Sequence, residues 1–187
     1  AAPAPDLSTV AARKNLNETA FFFPHLLARD DGSVAMEFTM PEALTTWRFI
    51  GFAHDRELRA GYVEDKAITA KDLMVQPNAP RFLREGDALE FTVKVSNQSA
   101  TRQQGSVRLA LADARTGKPV DTQFENAKTD LSFDIPASES KSFSWKLKVP
   151  DGADPLSYKA VGSTGRISDG EEGLLPVLSR RVLVTES

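Results

Sequence analysis

Few residues in this sequence have both the type and the spacing to do chemistry. Asp169, Glu171 and Glu172 surround Gly170 in Ser168-Asp169-Gly170-Glu171-Glu172-Gly173, an oxygen-rich turn of the kind that can hold Ca²⁺. The full calcium-loop spacing is missing, and a solvated acidic turn explains the same residues. Asp30-Asp31 is a weaker case, because Asp30-Asp31-Gly32 also reads as a hairpin turn in which glycine takes a positive φ at no steric cost. His25 and His54 are the two histidines of the chain. They lack neighbouring cysteines and the His-x-x-x-His spacing that would make them metal ligands. Cysteine is absent, which removes a disulfide frame, a thiolate zinc site and a cysteine nucleophile. Serines are plentiful, but no Gly-x-Ser-x-Gly elbow occurs. Gly162-Ser163-Thr164-Gly165 is a hairpin candidate, since no Lys-Ser/Thr helix follows to make a phosphate loop. No catalytic residue, cofactor or metal is therefore expected.

What remains is recognition by surfaces. Phe21-Phe22-Phe23 places three aromatics in succession, and on a strand they would point to both faces of a sheet. One face would then meet something other than the domain's own core. A domain–domain interface is the favoured reading, and a core strand covered on both sides is the alternative. Exposed, the run would be an adhesive patch. Arg81 and Arg84 bracket Phe82 and Leu83. They are candidates to clamp carboxylates of a neighbouring domain, although solvated strand ends explain them equally well.

The elements that must carry these residues have a period of two. Leu89, Phe91, Val93 and Val95 alternate with Glu90, Thr92, Lys94 and Ser96, which predicts a half-buried strand with one wet face. Val107, Leu109 and Leu111 repeat the pattern, as do Phe143, Trp145, Leu147 and Val149. Further strands are predicted at Leu131 to Ile135, Leu156 to Val161 and Arg181 to Val184. Turn signals lie at Glu85-Gly86-Asp87, Thr116-Gly117-Lys118-Pro119, Pro150-Asp151-Gly152 and Ser168-Asp169-Gly170. Roughly seven short strands over about 100 residues is the pattern of a β-sandwich.

The first part of the chain also reads as β. Thr19 to Phe23 is strand-like, and Val34, Met36, Phe38 and Met40 alternate with Ala35, Glu37 and Thr39 up to Pro41, which cannot donate to a ladder. Trp47, Phe49 and Gly51 face one side of the next strand, with Trp47 expected to plug a sandwich core. A last strand is predicted over Gly61 to Thr69. Long helices are not expected, although Pro41 to Leu44 and Asp55 to Leu58 each suit a single turn.

The 187 residues suffice for one large domain or two small ones. The net charge of −3 and pI near 5.5 argue against nucleic-acid binding, which usually needs a basic face. No run of about 18 apolar residues is present to span a membrane. Ala1-Ala2-Pro3-Ala4-Pro5 lacks the basic and apolar regions of a signal peptide and reads as an extended linker. With the abrupt ending Val184-Thr185-Glu186-Ser187, that opening suggests a segment of a longer chain, or a mature secreted protein whose signal has been removed.

Three stretches add a resemblance. They are Asn15-Leu16-Asn17-Glu18-Thr19-Ala20-Phe21-Phe22-Phe23-Pro24 with Asp31-Gly32; Met40-Pro41-Glu42-Ala43-Leu44-Thr45-Thr46-Trp47-Arg48; and Pro80-Arg81-Phe82-Leu83-Arg84-Glu85-Gly86-Asp87, which runs into a strand ending at Asn97. In this order and spacing they resemble the bacterial branch of the alpha-2-macroglobulin family over residues 13 to 97, and more loosely from there on. The resemblance implies an all-β fold of two consecutive immunoglobulin-like, macroglobulin-type antiparallel sandwiches. Residues 1–12 are then a linker, 13–72 a macroglobulin-like β domain short of a full strand set, and 73–187 a macroglobulin-like sandwich.

The resemblance also implies a function. Family members are large chains in which cleavage of a bait segment triggers a rearrangement that traps the protease, and many carry a thioester between Cys and Gln. A chain without cysteine cannot hold that thioester, and no residue here matches the bait. The implied role is a non-catalytic scaffold of a broad-spectrum endopeptidase inhibitor, in the periplasm or at the cell surface. Its partners would be neighbouring domains of the parent chain and, through the intact parent, target proteases. No nucleic acid and no membrane contact by this segment are expected. Phe21, Phe22, Phe23, Arg81 and Arg84 are the candidate interdomain contacts. The rival reading is an immunoglobulin-like adhesin or carbohydrate-binding module, which would display aromatic platforms.

Overall fold

A computed structural model describes residues 5–180. It is all-β apart from one turn of 3-10 helix at Asp121–Phe124. The chain divides into two units: Arg13–Ala70 is one, and the other joins the chain up to Ala12 with the chain from Lys71 onward.

The larger unit is a two-sheet sandwich. One sheet has the order β3 (Leu73–Asn78), β5 (Ala88–Asn97), β8 (Ser140–Lys148), all antiparallel. The other has the order β10 (Ser168–Leu175), β9 (Leu156–Ser163), β6 (Gln103–Asp113), β7 (Asp130–Ile135). A short parallel pair joins β4 (Leu83–Arg84) to β11 (Val177–Leu178). The alternation in the sequence becomes the core. Phe91, Val93 and Val95 of β5, Val107, Leu109 and Leu111 of β6, and Phe143, Trp145 and Leu147 of β8 are all buried in one cluster. Each such side chain contributes about 1.5–3 kcal/mol of transfer free energy. Aromatic pairs bridge the two sheets, Phe91 with Tyr158 at 5.4 Å and Phe133 with Phe143 at 6.5 Å between ring centroids.

Polar groups inside the sandwich are matched. The Trp145 indole N–H donates to the carbonyls of Lys128 and Thr129 at 2.9 and 3.0 Å. The buried Asn97 amide donates to the carbonyls of Thr101, Ile135 and Pro136, closing one end of the sandwich.

Two expectations for this unit need correction. Ser168-Asp169-Gly170 is not a turn but the start of β10. The hairpin turn lies before it, where Thr164 N–H donates to the Ile167 carbonyl at 3.0 Å. Asp169 is buried there because its carboxylate caps another strand, accepting the Val75 N–H at 2.8 Å and pairing with Lys71 Nζ at 2.9 Å. The linker expected over residues 1–12 is the second correction. Leu7 and Val10 are buried against Val161, so the chain from Asp6 to Ala12 is a docked strap. Proline-rich composition marks Pro3 and Pro5, but it does not cancel the apolar side chains that follow. The strand expected at Arg181 to Val184 lies outside the described residues.

In the smaller unit, β1 (Thr46–His54) and β2 (Ala60–Ile68) form a hairpin in unbroken antiparallel register from Thr46↔Ile68 to His54↔Ala60. Asp55 to Leu58 makes the expected turn, with Leu58 N–H donating to the Asp55 carbonyl at 3.2 Å. Thr19 to Phe23 and Val34 to Met40, in contrast, are not strands. The turn between them does form, with Gly32 at φ +80° and Arg29 N–H donating to the Ser33 carbonyl at 2.9 Å. Its arms then part without pairing among the described residues. Alternation yields a strand only where a partner completes the ladder. Here Phe21 and Phe38 collapse onto each other instead, at 4.3 Å between centroids. Pro41 to Leu44 forms no helical turn.

Candidate functional site

The hairpin has two unlike faces. Trp47, Phe49 and Gly51 share one face and are half-buried, while Arg48, Ile50 and Phe52 on the other are exposed. Against the first face lies the irregular chain, and together they form an open apolar cleft of about 1050 Å³. Phe21, Phe38, Trp47 and Phe49 are among its walls. Phe21 stacks on Phe23 at 5.2 Å with planes 19° apart, and reaches Phe49 at 6.2 Å. Phe22 borders the same cleft and is 81% exposed. The three-phenylalanine run therefore divides: Phe21 and Phe23 are brought together, and Phe22 is displayed. Trp47 does not plug a core. It is half-buried in the cleft wall, with its indole N–H on Thr69 Oγ1 at 3.0 Å, and Thr69 in turn donates to the Ala43 carbonyl at 2.7 Å.

A clamp at Glu42 fixes the entrance of the irregular chain. Its carboxylate accepts the backbone N–H groups of Lys14 and Asn15 at 2.9 and 3.1 Å, and its own N–H donates to the Asn15 carbonyl at 2.7 Å. Asn15 opens the first sequence motif and Glu42 lies in the second, so two stretches distant in sequence are one structural feature. On the exposed face, Arg48 forms a bidentate pair with Glu64, both bonds at 2.7 Å, and the Tyr62 hydroxyl donates to the same carboxylate at 2.9 Å. The guanidinium first, and then the hydroxyl, hold the Glu64 carboxyl below its ordinary value.

The third motif belongs to the sandwich. Leu83 is buried and starts the parallel pair, its N–H donating to the Pro176 carbonyl at 2.8 Å. Glu85 is buried as well, and it accepts the N–H groups of Gly152 and Arg180, both at 2.9 Å, and the Ser179 hydroxyl at 3.2 Å. Arg81 and Arg84 are exposed, and neither forms an ion pair among the described residues. Arg84 lies over the Phe82 ring at 5.8 Å. Sequence reasoning picked out the arginines and passed over Glu42 and Glu85. No local pattern marks either glutamate, since the donors that each accepts come from segments distant in sequence.

The groups weighed for chemistry stay apart. Asp169, Glu171 and Glu172 lie along a strand, and no cluster of three potential metal-ligating side chains occurs among the described residues. His25 and His54 are exposed, the latter with Nδ1 3.2 Å from the Asp55 carbonyl. No described helix is long and apolar enough to cross a membrane.

Comparison with known proteins gives consistent results. The model of the alpha-2-macroglobulin family matches residues 19–109. Among curated proteins, the alpha-2-macroglobulin of Thermotoga maritima is 21% identical over 91% of this chain and 10% of its own length. An alpha-2-macroglobulin homolog of a Nostoc species is 26% identical over 93% of this chain and 9% of its own. The chain thus spans about a tenth of the length of the curated relatives it matches. Among solved structures, Escherichia coli alpha-2-macroglobulin activated by porcine elastase superposes with a TM-score of 0.56 at 15% identity, covering 75% of this chain and 12% of that one. A Salmonella alpha-2-macroglobulin mutant gives a TM-score of 0.53 at 16% identity, covering 80% and 10%. At these identities the structures speak to the fold, which is the macroglobulin-type sandwich.

Proposed function

We propose that this chain, whose residues 19–109 match the model of the alpha-2-macroglobulin family, is a non-catalytic scaffold segment of a large bacterial protease-trapping protein, at work in the periplasm or at the cell surface. The observation that carries the proposal is the extent of the match. It runs through the hairpin unit and into the sandwich, so the two units are inherited together. The hairpin unit supports the same reading. Two strands with Ile50, Phe52 and Tyr62 exposed on one face make a marginal sheet by themselves, as expected of a part that is completed by neighbours. Phe21, Phe22, Phe23, Arg81 and Arg84 remain the proposed interdomain contacts.

The test uses the longer protein that contains this segment, with elastase as the protease. Trapping leaves small peptides hydrolysable and shields large protein substrates. Glu42→Ala and Glu85→Ala should leave cleavage of the parent by elastase intact and abolish the shielding. Stoichiometric inhibition of elastase by the 187-residue chain alone, or normal shielding by both variants, would overturn the proposal.

One observation favours the carbohydrate-binding alternative, namely the half-buried Trp47 with Phe21 and Phe49 in an open cleft. Glycan-array binding that disappears in Trp47→Ala would decide for it.

A further inference from the structure

The chain leaves the sandwich at Ala12 and returns to it at Lys71. Both crossings register on adjacent residues of β10. The position that a Cβ on Gly170 would take lies 2.7 Å from Val161 Cγ1 and 3.1 Å from the Ala160 carbonyl oxygen, which leaves room only for glycine, and 3.4 Å from the Ala12 Cα, an ordinary contact. Gly170 pairs across the hairpin with Val161, and Val161 is the residue buried with Leu7 and Val10. Asp169, the preceding residue, holds Lys71 Nζ at 2.9 Å and the Val75 N–H at 2.8 Å.

The two crossings are not held alike. The returning chain runs directly into β3, which is laddered to β5 from Leu73↔Asn97 to Asn78↔Thr92. The departing chain contains no strand over residues 5–12. Among the described residues, the side chains of Leu7 and Val10, with Ala12 packed beside them, hold it, together with a local turn in which Asp6 Oδ1 accepts the Ser8 N–H and hydroxyl at 2.9 and 2.7 Å. A segment with few buried contacts opens at lower free energy than the ladder beside it.

We infer that Asp6–Ala12 is a releasable latch, closed on the Val161–Gly170 pair beside a permanent anchor at Lys71–Asp169. While the latch is closed, the sandwich itself keeps the ends of the inserted segment together, and the loop-closure cost of that segment is already met. When it opens, Leu7, Val10 and Val161 are uncovered. The inference concerns how residues 5–12 are held and stands apart from the trapping role.

Hydrogen exchange of the full 187-residue chain, followed by mass spectrometry, tests it. Amides of Leu7–Ala12 should exchange about tenfold or more slowly than an unstructured chain, and about tenfold or more faster than Val93–Val95 of β5. Gly170→Val, whose Cβ would meet Val161 Cγ1 and the Ala160 carbonyl before Ala12, should disturb the surface on which the strap rests and bring the strap to unstructured rates while β3 and β5 keep theirs. Leu7→Ser, placed outside the sheets, should do the same and decides the matter if Gly170→Val fails to fold. Lys71→Met should leave the strap protected. Wild-type exchange of the strap in step with β5, wild-type exchange at unstructured rates, or a strap still protected in Leu7→Ser would each overturn the latch.

Discussion

Glu85 accepts the backbone N–H of Gly152 at 2.9 Å, a bond across 67 residues that ties the third sequence motif to the turn after β8. Its second oxygen holds the Arg180 N–H, also at 2.9 Å, so one buried carboxylate joins the entry of the sandwich, an interior turn and its last described residue. Glu85→Ala would orphan both donors. It should cost roughly 2–4 kcal/mol in urea unfolding of the chain, with Glu85→Gln costing less because one acceptor oxygen remains. An alanine variant within about 0.5 kcal/mol of wild type would refute this role.

Trp145 joins β8 to the segment before β7 through one N–H shared by two carbonyls. Trp145→Phe keeps the apolar ring and removes the donor, so a loss of about 1–2 kcal/mol is expected. Trp145→Ala also opens a cavity, and a loss of about 3–5 kcal/mol is expected. Thermal unfolding of the two variants separates the hydrogen bond from the packing.

The hairpin unit should make the chain adhesive. Phe22 is 81% exposed and Phe52 69%. The wild-type chain should enhance the fluorescence of a hydrophobic dye, and the double variant Phe22→Ser/Phe52→Ser should reduce it markedly. Stability should change by no more than about 0.5 kcal/mol, since neither ring is in the core. Unchanged dye binding would place the adhesive surface elsewhere.

Acid should weaken the β6–β7 edge. Arg108 and Asp130 are register partners joined by bonds of 2.6 and 2.8 Å. The guanidinium holds the Asp130 carboxyl below its ordinary value of 3.8. A depressed folded value means that the contribution is present above the unfolded value and is lost as pH falls through the folded one. The Asp130 side chain is 45% exposed, so screening limits the contribution to about 1 kcal/mol. Urea midpoints measured from about pH 5 down to about pH 2 should fall toward acid, and less steeply in Asp130→Asn.

The sequence alone carried the sandwich. A period of two is a local property, and in β5, β6 and β8 every apolar position of the alternation is buried or half-buried. The register Phe91↔Trp145 follows once those faces must meet. The motif residues were equally legible as a resemblance, since that depends on residue type and order. Tertiary structure decided three things that no local pattern contains. Val34 to Met40 alternates as well as β5 does, yet forms no strand, because a strand also needs a partner to complete its ladder. Asp169 looks like a solvated turn acid and is a buried cap, because Val75, 94 residues away in sequence, brings its N–H there. The opening dozen residues have the composition of a linker, and Leu7 and Val10 are buried because Val161 supplies the surface that takes them out of water. Periodicity says which face of a segment avoids water, and only the folded chain says what covers it.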